Sequence, residues 1–113
     1  MPHPLITTAY AAFNSRDIDT ALTTMRPDVR WPKAFEGDFV TGHDEIREYW
    51  TRQWGEINPK VDLLNITELP DGRLNVQVHQ VVKALDGTVL FDGTVTHLYT
   101  LTDGLIQAME IGS

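Results

Sequence analysis

Apolar positions recur every three to four residues through the first half of the chain and every second residue from Val61 onward. The first period is helical and the second belongs to strands with one covered face. Leu5 to Phe13 carries Ile6, Tyr10 and Phe13 on one face, with Pro4 acceptable in a first turn, so a helix is predicted there, broken by Asn14-Ser15-Arg16. Asp17 then fits the N-cap of a short helix with the stripe Ile18, Ala21, Leu22 and Met25, ended by Pro27. Val29 to Trp31 reads as a short strand, and Pro32 to Gly42, holding Phe35 and Phe39, as a loop or hairpin. The clearest helix follows. Thr41 with Asp44 suits a capping box, and Asp44 and Glu45 suit the positive end of the dipole. Its stripe is Ile46, Tyr49, Trp50, Gln53, Trp54 and Ile57, closed by Pro59.

Strands are predicted at 61–69, 73–85, 88–101 and 105–111, joined by Pro70-Asp71-Gly72, Asp86-Gly87 and Asp103-Gly104. Asp-Gly between alternating runs is a hairpin signal. Helices first and a meander afterwards describe an α+β domain, residues 1–113, with three N-terminal helices packed on a curved, mainly antiparallel sheet.

If both Asp-Gly pairs are two-residue turns, Val78 faces Val95, Val76 faces His97, Tyr99 faces Ala108 and His97 faces Glu110. One sheet face is then almost wholly apolar and must lie under the helices. Its exceptions are Gln80, His97 and Glu110. A buried ionisable group is costly unless paired, so an inward His beside an inward Glu points to a site. The register carries this inference, because a bulge near Asp92-Gly93 would turn His97 outward. The opposite face is polar but for Val81, Leu98, Met109 and Ile111, a patch that two-fold pairing would bury.

Composition narrows the partners. Nine basic against sixteen acidic residues give a formal charge of −7, which repels nucleic acid and anionic membranes. The absence of cysteine removes thiol chemistry, disulfides and cysteine metal sites. No apolar run approaches the ~20 residues of a membrane span. No signal peptide is visible at Met1-Pro2-His3-Pro4, so a cytoplasmic protein is expected. No His, Asp and Glu spacing suggests a metal and no glycine loop suggests a phosphate, so no cofactor is expected.

The element order, with Tyr10-Ala11-Ala12-Phe13-Asn14-Ser15-Arg16-Asp17, Thr41-Gly42-His43-Asp44-Glu45-Ile46, and His97-Leu98-Tyr99 before Asp103-Gly104-Leu105-Ile106, resembles the nuclear transport factor 2-like superfamily. Within it the chain is most similar to SnoaL-like and ketosteroid isomerase-like proteins. The resemblance implies a cone-shaped (cystatin-like roll) fold, a pocket between helices and sheet, and a homodimer. Position by position, the aspartate base of the steroid isomerases falls on Trp31, their helical oxyanion tyrosine on Ala9 beside Tyr10, and their protonated aspartate on His97. That departure speaks against steroid isomerisation by the known mechanism. The SnoaL-like cyclases use an acidic residue in the late strands, the region of Glu110.

Each candidate has two readings. His97 with Glu110 is a general acid/base dyad or a satisfied core hydrogen bond, and Tyr10 and Tyr99 are oxyanion donors or core. Trp31, Phe35, Phe39, Trp50 and Trp54 form an aromatic wall for a flat ligand or plain core. Gln53 and Gln80 hold a ligand carbonyl or bond to backbone. His79 near Asp92 is a solvated outer pair. The expected function is binding of a small apolar or aromatic carbonyl compound, with cofactor-free isomerase, cyclase or hydrolase chemistry. The alternative is a non-catalytic ligand-binding or dimerisation module.

Overall fold

The computed structural model describes residues 3–33 and 37–112. Its order is α1 (Pro4–Asn14), α2 (Ile18–Thr23), β1 (Met25–Lys33), β2 (Asp38–Thr41), α3 (Gly42–Trp54), β3 (Ile57–Glu68), β4 (Leu74–Ala84), β5 (Val89–Thr102) and β6 (Leu105–Gly112). The strands make one six-stranded sheet in the order β2-β1-β6-β5-β4-β3. All neighbours are antiparallel except β1 and β6, so the sheet is mixed. No helix of the described residues is long and apolar enough to cross a membrane.

The helices start and stop largely as the sequence predicts. Asp17 caps α2 by accepting from the Thr20 amide and hydroxyl. At α3 the Thr41 side chain makes no cap bond; instead Glu45 takes the Thr41 N–H at 3.0 Å, the reciprocal half of a box displaced by one residue. Two prolines predicted as helix ends lie in strands. α2 stops at Thr23, and Pro27 sits inside β1 where the pairing to β6 skips between Met25 and Arg30, so its missing N–H breaks no ladder bond. Pro59 lies in β3, an edge strand, where a missing donor is tolerated.

The core fills the space between helices and sheet. Ile6 and Tyr10 of α1 and Ile46, Tyr49 and Trp50 of α3 meet Val76, Val78, Tyr99, Ile106 and Met109. Asn14 ties α1 to the sheet by a two-way bond: its Nδ2 donates to the Val61 carbonyl at 2.7 Å and its Oδ1 accepts from the Val61 amide at 2.9 Å. The side-chain amide thus takes the place of a neighbouring strand for one residue of β3.

The two Asp-Gly turns differ. At Asp103-Gly104 both residues have positive φ, and Thr102 pairs with Leu105 across a two-residue turn. At the other, only Gly87 has positive φ; its amide bonds to the Ala84 carbonyl and the loop is Leu85-Asp86-Gly87. A bulge at Leu90 then restores the register, so Val78 pairs with Val95 and Val76 with His97 as predicted. No such compensation occurs between β5 and β6. Leu101 pairs with Ile106 but Thr100 pairs with Ala108, leaving Gln107 as an extra residue.

Candidate functional site

The Gln107 bulge decides what the site contains. Beyond it Tyr99 pairs with Met109, Leu98 with Glu110 and His97 with Ile111. Glu110 is therefore on the outer face and exposed, while His97 stays on the inner face and buried. The predicted His97–Glu110 pairing is overturned by this one-residue shift. The same shift turns Met109 into the core and Ile111 into the cavity wall, which removes half of the apolar patch expected outside. Val81 and Leu98 remain outside, so the apolar area on which a dimer through that face rests is halved.

His97 instead meets Tyr10. The Tyr10 hydroxyl lies 2.6 Å from His97 Nδ1, and the Tyr99 hydroxyl donates to Tyr10 Oη at 2.7 Å. Tyr99 has no other hydrogen-bond partner among the described residues, so its proton must go to Tyr10. Tyr10 then donates to Nδ1, and the imidazole carries its proton on Nε2. Burial pushes the His97 pKa down to about 4, so the ring is neutral at pH 7. Burial likewise raises both phenols, with Tyr99 adding to the effect at Tyr10, and both stay protonated. The chain Tyr99–Tyr10–His97 thus ends in one N–H of a neutral imidazole.

That imidazole borders a cavity between helices and sheet. Ala9, Tyr10 and Phe13 of α1 and Tyr49, Trp50 and Gln53 of α3 form one wall. Trp31, Gln80, His97, Tyr99, Met109 and Ile111 form the sheet wall, completed by Met25, Pro32, Pro59 and Val61. Aromatic rings line it without a break: Trp50 to Trp31 at 5.6 Å, Trp31 to Tyr99 at 6.2 Å, Tyr99 to Tyr10 at 6.2 Å and Tyr10 to His97 at 5.9 Å. No carboxylate lines the cavity among the described residues.

A SnoaL-like domain profile matches residues 6–109. The chain belongs to the SnoaL-like domain family. Its fold is that of the nuclear transport factor 2-like and ketosteroid isomerase-like proteins. Among solved structures, it is similar to TerC co-crystallised with polyporic acid (28% identity, TM-score 0.84), with 96% of this chain and 88% of TerC covered. It is also similar in fold to a putative polyketide cyclase from Sinorhizobium meliloti (21% identity, TM-score 0.83), with 98% and 95% covered. A GPI inositol-deacylase from Chaetomium globosum is 29% identical over 103 residues, with 80% of this chain covered. The chain spans only 9% of that protein's length.

For this SnoaL-like chain the predicted aromatic wall is only partly realised. Trp31 and Trp50 line the cavity, as do Gln53, Gln80 and Tyr99. Trp54 does not; it packs on Phe13 and Trp50 with the Arg16 guanidinium 5.0 Å from its ring. Phe39 does not either, being covered by Arg30 at 3.8 Å, because β2 lies at the far edge of the sheet. Phe35 lies outside the described residues. Gln53 donates to the Tyr49 hydroxyl at 3.0 Å, whereas the Gln80 side chain has no hydrogen-bond partner among the described residues. Phe13 and Tyr49 also line the cavity; both sit on the predicted helical stripes, a signal that marks burial without separating cavity wall from core. His79 and Asp92 pair at 2.6 Å on the outer face, both solvated.

Proposed function

We propose that this SnoaL-like protein binds a small apolar or aromatic carbonyl compound in the cavity and polarises its carbonyl oxygen, as in cofactor-free isomerisation or cyclisation. The observation that carries this reading is the directed chain from Tyr99 through Tyr10 to a buried, neutral His97. A neutral imidazole donating from Nε2 strengthens its hydrogen bond as negative charge develops on the oxygen, in surroundings too apolar for water to compete. Tyr10 stays bonded to Nδ1 and fixes the tautomer. Gln80, four positions further along the sheet, offers a side-chain amide to another part of the ligand on the same wall. The similarity to TerC, crystallised with polyporic acid, and to a putative polyketide cyclase supports an aromatic or polyketide-like ligand.

That no carboxylate among the described residues lines the cavity favours a second reading, ligand binding with polarisation but no turnover. One experiment serves both. Polyporic acid, aryl ketones and polyketide-like carbonyl compounds are screened by thermal shift on wild type and His97→Leu, then assayed for conversion. A ligand at ~100 times its dissociation constant adds about 2.7 kcal/mol, a shift of several degrees in a domain this size. Expected are shifts in wild type that shrink in the variant, and a bound carbonyl stretch displaced to lower frequency only when His97 is present. Shifts and frequencies indifferent to His97 would sink the reading. Conversion would decide for the enzyme, and its absence with binding intact for the binder.

A further inference from the structure

The cavity beside His97 has about 60 Å³ of free space. That admits a few waters, or a carbonyl with the atoms next to it, whereas sites for whole drug-sized ligands run to about 300–1,000 Å³. A second cavity of about 360 Å³ opens beside it, between the C-terminal end of α3, the start of β3 and the tip half of the β4–β5 hairpin. Tyr49 and Gln53 line both cavities, so their bonded side chains are the partition between the two. The second is walled by Ile57, Val82, Leu90 and Phe91, with one charge of each sign, Arg52 and Glu56, at its border.

Leu90 and Phe91 are 57% and 38% exposed, an unfavourable place for large apolar groups unless something covers them. Gly93 explains how Phe91 is held. A Cβ at position 93 would meet the tip of the Phe91 ring at 3.2 Å, so the ring lies back along the strand over the glycine. Gly93 is also the partner of Gln80, a polar residue of the inner cavity. The strand therefore carries an apolar platform that leads, with no side chain at 93 in the way, toward the polar inner end.

We infer that the two cavities are one divided ligand site, in which an elongated ligand places a carbonyl head beside His97, runs past Gln80 and lays a flat apolar tail over Phe91 and Leu90. The head part rests on the function proposed above; the tail part stands on the second cavity. The ligand class is an aryl or alkyl-aryl ketone longer than a single ring, and Phe91 and Leu90 set its length.

Dissociation constants of acetophenone, 4-butylacetophenone and 4-acetylbiphenyl are to be measured on wild type, Leu90→Trp, Phe91→Ala and His97→Leu. At about fourfold per buried methylene, the butyl tail should tighten binding on the order of 100-fold in wild type. Leu90→Trp narrows the outer cavity and Phe91→Ala removes its platform, so each should cut the tail's gain at least about tenfold and weaken acetophenone, whose single ring reaches least far into that cavity, distinctly less than the longer ketones. His97→Leu should weaken all three ketones by a similar factor and leave the tail's gain intact. Equal affinities along the series, or a gain unchanged in both hairpin variants, would overturn the divided site and leave the His97 reading standing. A gain lost in the hairpin variants, with no effect of His97→Leu on any ketone, would uphold the tail site and overturn the head. Failure of all three ketones to bind wild type would overturn both.

Discussion

Tyr10 is the middle member of a three-residue chain, which makes its hydroxyl worth more than that of Tyr99. Tyr10→Phe strands the Tyr99 donor and the His97 Nδ1 acceptor together, both in buried positions. Tyr99→Phe strands nothing, because Tyr10 keeps its bond to Nδ1. A buried polar atom left without a partner costs ~1–3 kcal/mol, against ~0.5–1.5 kcal/mol for an ordinary hydrogen bond lost. Urea unfolding should therefore show Tyr10→Phe as clearly the more destabilised variant, and the double variant as less affected than the sum. His97 adds a pH signature. The unfolded chain protonates this residue below about 6.5 and the folded chain only below about 4, so between those values the unfolded state binds more protons. Stability falls as pH drops through that window, by about 3 kcal/mol if burial is complete. His97→Gln keeps an acceptor for Tyr10 but cannot titrate, so its stability measured at pH 7 and pH 4.5 should differ distinctly less than wild type's. Equal pH dependence would place the titration elsewhere.

Among the elements, α1 and β3 are joined by a side chain acting as backbone. Asn14→Ala should cost ~1–3 kcal/mol, since it frees both the Val61 N–H and C=O beneath the helix end. Asn14→Asp should cost at least as much, because a carboxylate then faces the Val61 carbonyl, and thermal denaturation at pH 7 would rank the two. Nothing in the helical pattern marked this role; Asn14 reads simply as a helix breaker. The helices and hairpins themselves were legible, since their periods and turn residues are local. The register was legible only where errors cancelled. In β4–β5 a longer turn and a bulge at Leu90 offset each other, so His97 was rightly placed on the inner face. In β5–β6 the bulge at Gln107 stood alone and Glu110 went to the wrong face. A signal was present: after Leu105 the large apolar residues of β6 are Ile106, Met109 and Ile111, and a gap of three in a period of two marks one extra residue. The Gln107 amide then reaches the Asp28 carboxylate at 3.2 Å, a contact the sequence offered no means to foresee.

At the scale of the molecule the sheet is unequal along its length. β5 has 14 residues, which at about 3.3 Å each nearly matches the 42 Å long axis. Its C-terminal half lies between β4 and β6. Among the described residues β6 pairs no further than Gly112 with Thr96 and Val89 to Val95 pair with β4 alone, and residues 85–92 are all exposed. Backbone with one neighbour and little burial opens at low cost, while core strands open only near the global free energy. Amide exchange should therefore be at least about tenfold faster over 89–95 than over 96–102. The fast half carries Leu90 and Phe91, the walls of the outer cavity, and the slow half carries His97 and Tyr99. A rigid polar end and a hairpin free to close over a tail would let one fixed carbonyl site accept tails of different shape. Exchange measured with and without 4-butylacetophenone tests this: the ligand should slow exchange over 89–95 more than over 96–102. Uniform protection along β5 in the free protein would mean that the hairpin opens only with the whole fold, and tail length would then be set by a wall that does not move.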